Sequence, residues 1–218
     1  MTPGRPLTPG VLVRDALGAT LLVLRRQDTP VDVELGPREL QVLGGMKDWP
    51  LRDAEWRAGR QVAKETLRLG FGIDPSRVEI LPAESGAPVL SVDGAVQQTL
   101  FLNLSHTTHW VVAAVAPFAV GVDVADDEDG QRLPRIARRV FSEGEAEQCG
   151  AHDSVANQAA VWALKEAGLK LHIGGVFSPG ARSIRVLSLD PPQVADPKLQ
   201  VALFRLPDAA VAIARERP

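Results

Sequence analysis

Residues 99–130, TLFLNLSHTTHWVVAAVAPFAVGVDVADDEDG, decide how the rest of the chain is read. They hold three apolar, β-branched runs, TLFLNLSH (99–106), HWVVAAVAP (109–117) and AVGVDV (119–124), with only short turns between them. Such runs suit a pleated, half-buried surface, and tight connections favour antiparallel neighbours, so a three-stranded meander is expected. The stretch ends in five acidic side chains within residues 121–130. Asp123 differs from the other four because it interrupts an apolar strand, where a carboxylate is costly unless a cation meets it. Asp126 to Asp129 read as a solvated surface turn.

Towards the N-terminus, strands are expected at Val11 to Arg14 and Ala19 to Arg25, then a helix over RDAEWRAGRQVAKETLRLG (52–70) ending at a glycine, then a long Pro- and Gly-containing connection. Towards the C-terminus the period becomes helical from Leu133. FSEGEAEQC (141–149) opens with Ser142 and Glu145 in capping-box spacing, and Asp153 is placed to cap the long helix SVANQAAVWALKEAGLKLHI, closed by Gly174 and Gly175. Strands return in RSIRVLSL, LQVALFRL and AAVAIAR, with LDPPQVADPKLQ as a surface hairpin or loop. Strands, helices and strands, followed by helices and strands again, make an α+β fold. It divides near Pro117 into halves 1–117 and 118–218, between which no clear sequence repeat is seen.

The composition narrows the classes of function. With 24 Lys+Arg against 27 Asp+Glu in 218 residues and 45% apolar content, the chain is neither a basic nucleic-acid binder nor a disordered acidic protein, so an anionic ligand must be met by a local basic cluster. The single Cys149 excludes an internal disulfide and a multi-cysteine metal site. The first ten residues lack a signal-peptide core, and no apolar run is long enough to span a bilayer, so a cytoplasmic protein is expected.

In the long helix Trp162, Glu166 and Lys170 are four residues apart and share a face, with Lys165 on its flank. Taken alone, a Glu followed four residues later by Lys is a common surface pair and a Trp is usually core. Three-residue spacing on a strand turns His106 and His109 to opposite faces, against a zinc pair. Ser105, His106 and Asp123 lack the nucleophile-elbow pattern of a hydrolase triad, and VLGGMK lacks the spacing of a phosphate loop.

In combination, NLSH (103–106), GVDV (121–124), ARRVFSEGE (137–145) and WALKEAGLK (162–170) resemble the 4′-phosphopantetheinyl transferase family, of the longer surfactin-synthetase-activating (Sfp-like) type. That family is marked by a Gly-Val/Ile-Asp strand end followed by a helix reading Trp-x-x-Lys-Glu-x-x-x-Lys. The resemblance runs from about Trp56, through SGAPVL (85–90), to about Phe177. It implies two similar α/β halves related by a pseudo-two-fold axis, the active site between them, in a monomeric transferase. The implied reaction moves the phosphopantetheine arm of coenzyme A to a serine of an apo acyl or peptidyl carrier protein and releases 3′,5′-ADP. Carriers of fatty acid, polyketide or nonribosomal peptide biosynthesis are the implied partners, with no nucleic acid and no membrane involved.

By the same resemblance Asp123 and Glu166 hold Mg²⁺, and Glu166 is also a candidate base. Lys170 meets the α-phosphate and Lys165 is a second phosphate contact. Ser105 and His106 lie at the 3′-phosphate of coenzyme A, and Arg57 matches a basic residue at the start of the N-terminal helix. Arg135, Arg138 and Arg139 are candidates for docking an acidic carrier. The chain departs from the family in three places. Ala125 stands where a Glu is common, Gly86-Ala87-Pro88 replaces Gly-Lys-Pro, and the signature helix ends in KLHIGGV. Strand alternation puts position 125 on the side of Asp123, so water is expected to replace the missing carboxylate. The departures keep open an alternative, a catalytically weak or inactive relative that binds coenzyme A or a carrier protein.

Overall fold

The computed structural model describes residues 4–30, 34–45, 50–130, 139–152, 154–171 and 180–218. They fall into two compact units, Pro9–Phe118 and Ala119–Pro218, the latter joined by the N-terminal segment through Thr8.

In the first unit β2 (Val13–Ala16), β3 (Ala19–Arg25), β7 (Phe101–His106) and β8 (Trp110–Ala116) form a sheet of order β2-β3-β8-β7. Helices α1 (Pro37–Gly44) and α2 (Pro50–Phe71) follow β3, and α2 lies on the sheet with Ala58, Val62, Ala63 and Leu67 in the core. The supposed connection after α2 holds a second sheet, β4 (Val78–Pro82), β5 (Pro88–Val92) and β6 (Ala95–Val96). Pro82 and Pro88 pair at the ends of the β4–β5 hairpin, a position where a missing N–H does no harm to the ladder, and their presence hid the strands. Gly86 turns the hairpin with φ at +84°, in the region that favours glycine.

In the second unit β9 (Val120–Asp126) is followed by the short helices α3 (Asp127–Gly130) and α4 (Glu145–Gln148), the long helix α5 (Val155–Leu171), and the hairpin of β10 (Val186–Leu189) and β11 (Pro192–Val194). β12 (Leu199–Arg205) and β13 (Ala209–Glu216) complete a sheet of order β1-β12-β13-β9, where β1 is Arg5–Pro6. The expected meander is therefore broken. β7 and β8 pair, but β8 is already flanked by β3 on its other side, so β9 crosses to pair with β13. The units divide at Phe118, beside Pro117, but the N-terminal segment goes with the second unit, where Arg5 and Pro6 pair in parallel with Phe204 and Arg205.

Although the sequence shows no repeat, the two units share a connectivity of strand, helices, hairpin, and an antiparallel pair whose last strand lies beside the first. Leu22 of β3 faces Ala113 of β8 just as Asp123 of β9 faces Ala212 of β13. Asp153, Gly174 and Gly175, expected to bound α5, lie outside the described residues. Ser154 sits at the start of the helix, its Oγ accepting from the Asn157 N–H at 3.2 Å. Among the described residues no helix is long and apolar enough to cross a membrane.

Candidate active site

α5 meets the sheet of the second unit through small residues, Ala159, Ala160, Ala163 and Ala167 against Ala125, Ala210, Ala212 and Ala214. The approach is closest at Gly121, where a Cβ would stand 1.9 Å from the Ala167 carbonyl oxygen. Strand alternation puts Gly121, Asp123 and Ala125 on the side that faces α5. From Gln158 to Lys170 every residue is buried except Trp162, Glu166 and Lys170, the stripe of four-residue spacing. The polar part of that stripe meets Asp123. The Lys170 Nζ donates to Asp123 Oδ1 at 2.8 Å and to the Val122 carbonyl at 3.0 Å.

Asp123 is 6% exposed and Glu166 half-buried. Burial, and then the charge of Asp123, push the Glu166 carboxyl above its ordinary range, while Lys170 partly offsets this. Two like charges are thus held together in a half-buried space, with one ammonium beside them. Asp123, singled out as a carboxylate within an apolar strand, and Glu166 and Lys170, singled out by their spacing, are brought together. The carboxylate pair is an oxygen-only donor set of the kind hard divalent cations take. Among the described residues no group of three or more His, Cys, Asp or Glu is assembled as a fuller cage.

Asp126 and Asp127 do not belong to a solvated turn, whereas Glu128 is exposed. The strand persists through Asp126, which is 5% exposed and on the opposite side from Asp123, and Asp127 starts α3 with Oδ2 bonded to the Arg205 guanidinium. Lys165 also departs from expectation. It is fully buried, with Nζ 2.7 Å from Glu145 Oε1 and donating to the carbonyls of Ala181 and Ile184, so its donors are spent inside the unit and none is left for a phosphate. Glu145 completes half of the expected capping box by accepting from the Ser142 N–H at 2.7 Å; the Ser142 hydroxyl turns instead to the Arg182 carbonyl. The Cys149 thiol is buried and pushed up to about 11 by burial and by the Glu145 charge, so it is no nucleophile.

The first unit has its own cavity, about 720 Å³, walled by Trp56, Leu104, Ser105, His106, Gly86 and Pro88 with the guanidinium-bearing Arg52 and Arg60. Its size suits a small organic ligand. Ser105 and His106 both line this cavity, but Arg57 does not join them; it is exposed and pairs with Asp53 at 2.7 Å. Arg60 lines the cavity. Its guanidinium lies 3.8 Å from the Trp56 ring centroid, and its Nε donates to the Ile80 carbonyl. Burial lowers it to about 10, with Glu39 opposing, so it is still charged at neutral pH. The signal was in the sequence, because Arg52, Trp56 and Arg60 are four apart and Arg57 is off that stripe. Arg135 and Arg138 lie outside the described residues, and Arg139 is exposed.

Residues 119–212 match the family model of the 4′-phosphopantetheinyl transferase superfamily. The matched segment holds Asp123, Glu166 and Lys170, while the cavity of the first unit falls outside it. The match supports a transferase of the phosphopantetheinyl kind. No curated protein is found to match the chain.

Proposed function

We propose that the protein is a Sfp-like 4′-phosphopantetheinyl transferase acting on coenzyme A and an apo acyl or peptidyl carrier protein, as a cytoplasmic monomer. The observation that carries this reading is the meeting of Asp123, Glu166 and Lys170 within the matched segment. On this reading the carboxylate cluster of the second unit takes the pyrophosphate of coenzyme A.

Asp123 and Glu166 would hold Mg²⁺, which would neutralise charge at the pyrophosphate. Glu166 accepts the proton of the carrier serine, directly or through water. The serine oxygen forms a bond to the β-phosphorus as the bond to the bridging oxygen breaks, and 3′,5′-ADP leaves. Lys170 exchanges its hold on Asp123 for the α-phosphate, where negative charge develops.

The second reading, a weak or inactive relative that binds coenzyme A or a carrier, draws on Ala87 and Ala125. Incubation with coenzyme A, Mg²⁺ and apo carrier proteins, followed by mass measurement of the carriers, decides between them. One phosphopantetheine arm gained on serine is expected; carriers left unchanged by a folded protein would leave only the binding module.

A further inference from the structure

Each unit contains a buried lysine–glutamate pair of the same construction. In the second unit Lys165, on the long helix, meets Glu145 on the short helix α4, and both side chains are 0% exposed. Glu145 also accepts from the backbone N–H groups of Ser142 and of Val186 in β10, at 2.7 and 2.6 Å. In the first unit Lys64, on α2, meets Glu39 on α1 at 2.7 Å, with exposures of 1% and 0%. Glu39 accepts from the N–H groups of Gly36 and of Ile80 in β4, at 2.7 and 2.8 Å. Lys64 and Lys165 each spend further donors on backbone carbonyls, Lys64 on Glu34 and Lys165 on Ala181 and Ile184. In both units the next residue is a glutamate, Glu65 or Glu166. The strand opposite carries Asp123 in the second unit, but Leu22 holds the corresponding register in the first.

The first unit thus keeps the lysine pair without a carboxylate at the matching position of the opposite strand, and its neighbouring glutamate bonds Arg68. The pair therefore belongs to the fold and not to ligand binding. Consecutive residues point about 100° apart around a helix, so a side chain tied at one position fixes the rotation of the helix and with it the aim of the next residue.

We propose that Lys165 is a positioning residue that, through Glu145, locks α5 onto α4 and β10 and thereby aims Glu166 at Asp123. The inference rests on the reading of Asp123 and Glu166 as the metal-binding pair. Lys64, with the same construction and no such pair beside it, supplies a built-in control.

The test compares Lys165→Met with Lys64→Met in the full chain, measuring thermal midpoint, Mn²⁺ affinity by paramagnetic resonance without substrate, and the kinetics of transfer. Both variants are expected to lose thermal stability alike. Only Lys165→Met is expected to weaken Mn²⁺ binding, about tenfold, as for residues that orient metal ligands. It is also expected to lower kcat about 10²-fold with KM for coenzyme A unchanged, the cost of a misplaced reacting group.

If Lys64→Met weakens Mn²⁺ binding and kcat equally, the effect is loss of stability and the proposal is overturned. A raised KM for coenzyme A with intact Mn²⁺ affinity overturns it in favour of a phosphate contact. Should Lys165→Met not fold, Lys165→Arg decides, since a guanidinium serves a phosphate but not the enclosed space around Glu145. Normal turnover in Lys165→Arg sinks the proposal, and lost Mn²⁺ affinity supports it. Failure of the wild-type protein both to bind Mn²⁺ and to transfer overturns the underlying reading and this inference with it, whereas a working wild type with matched variants overturns the inference alone.

Discussion

Glu166 carries opposing demands that a single substitution separates. Its carboxyl holds a proton more tightly in the folded protein than in the unfolded chain, because of burial and the nearby Asp123 charge. A raised folded-state pKa means the folded state binds more protons in the window between the two values, so stability falls as pH rises through that window and the cost persists above it. Glu166→Gln is therefore expected to raise the thermal midpoint at neutral pH, and the gain should vanish in mild acid, below the ordinary carboxylate range. The same change should lower kcat by about 10²-fold or more. Melting curves at several pH values with parallel turnover assays check both; a variant that is less stable and turns over normally contradicts the assignment. Asp123→Ala should abolish transfer. Asp126→Ala and Asp127→Ala should affect stability and leave turnover per folded molecule within a few-fold. If Asp127→Ala is as damaging to kcat as Asp123→Ala, the carboxylate pair has been misassigned.

The geometry of α5 over β9 depends on small residues, and Gly121 is the tightest point. Gly121→Ala would push a methyl against the Ala167 carbonyl. A cost of about 1–3 kcal/mol is expected from overpacking, with loss of transfer as Asp123 and Lys170 separate. Denaturant unfolding reads the first and the carrier assay the second; an unshifted midpoint would show that the helix yields freely. Ala125, 2% exposed within the same contact, answers the expectation that a glutamate there would reach the metal. Ala125→Glu puts a carboxylate into a closed apolar seam and is expected to destabilise, not to sharpen the Mg²⁺ response.

These residues also mark how far the sequence was legible. The strands over 101–116 and the helices over 50–71 and 155–171 were readable because apolar periodicity records which side is buried. Partner choice was not, because an apolar strand such as AVGVDV satisfies either neighbouring sheet equally well. Helical spacing put Glu166 and Lys170 on one face, and would have picked out Arg60 had it been applied to the first unit. The burial of Lys165 was not legible, because a lysine beside a site and a lysine locked behind it look alike without the fold.

For the molecule as a whole, a ligand that binds only the folded state adds stability by mass action. Mg²⁺ with coenzyme A at about a hundred times the dissociation constant should contribute about 2.7 kcal/mol. In a protein of this length that corresponds to a rise of roughly 5–11 °C in thermal midpoint, at about 2–4 °C per kcal/mol. Asp123→Asn should lose the Mg²⁺-dependent part and keep any part due to coenzyme A alone. A full shift in that variant would place the cation elsewhere.

The pairing of Arg5 and Pro6 with Phe204 and Arg205 bears on how the chain is made. A ribosome delivers the first unit complete before the strands of the second exist, and at about 5–20 residues per second the partner of Arg5 emerges roughly 10–40 s after it. Throughout that interval the leading segment has no β12 to join, and the edge it will cover has not been made. Fusing a bulky tag directly before Arg5 should therefore slow the last stage of maturation, and its effect should be felt in the sheet that carries Asp123, not in the unit that begins a few residues after the tag.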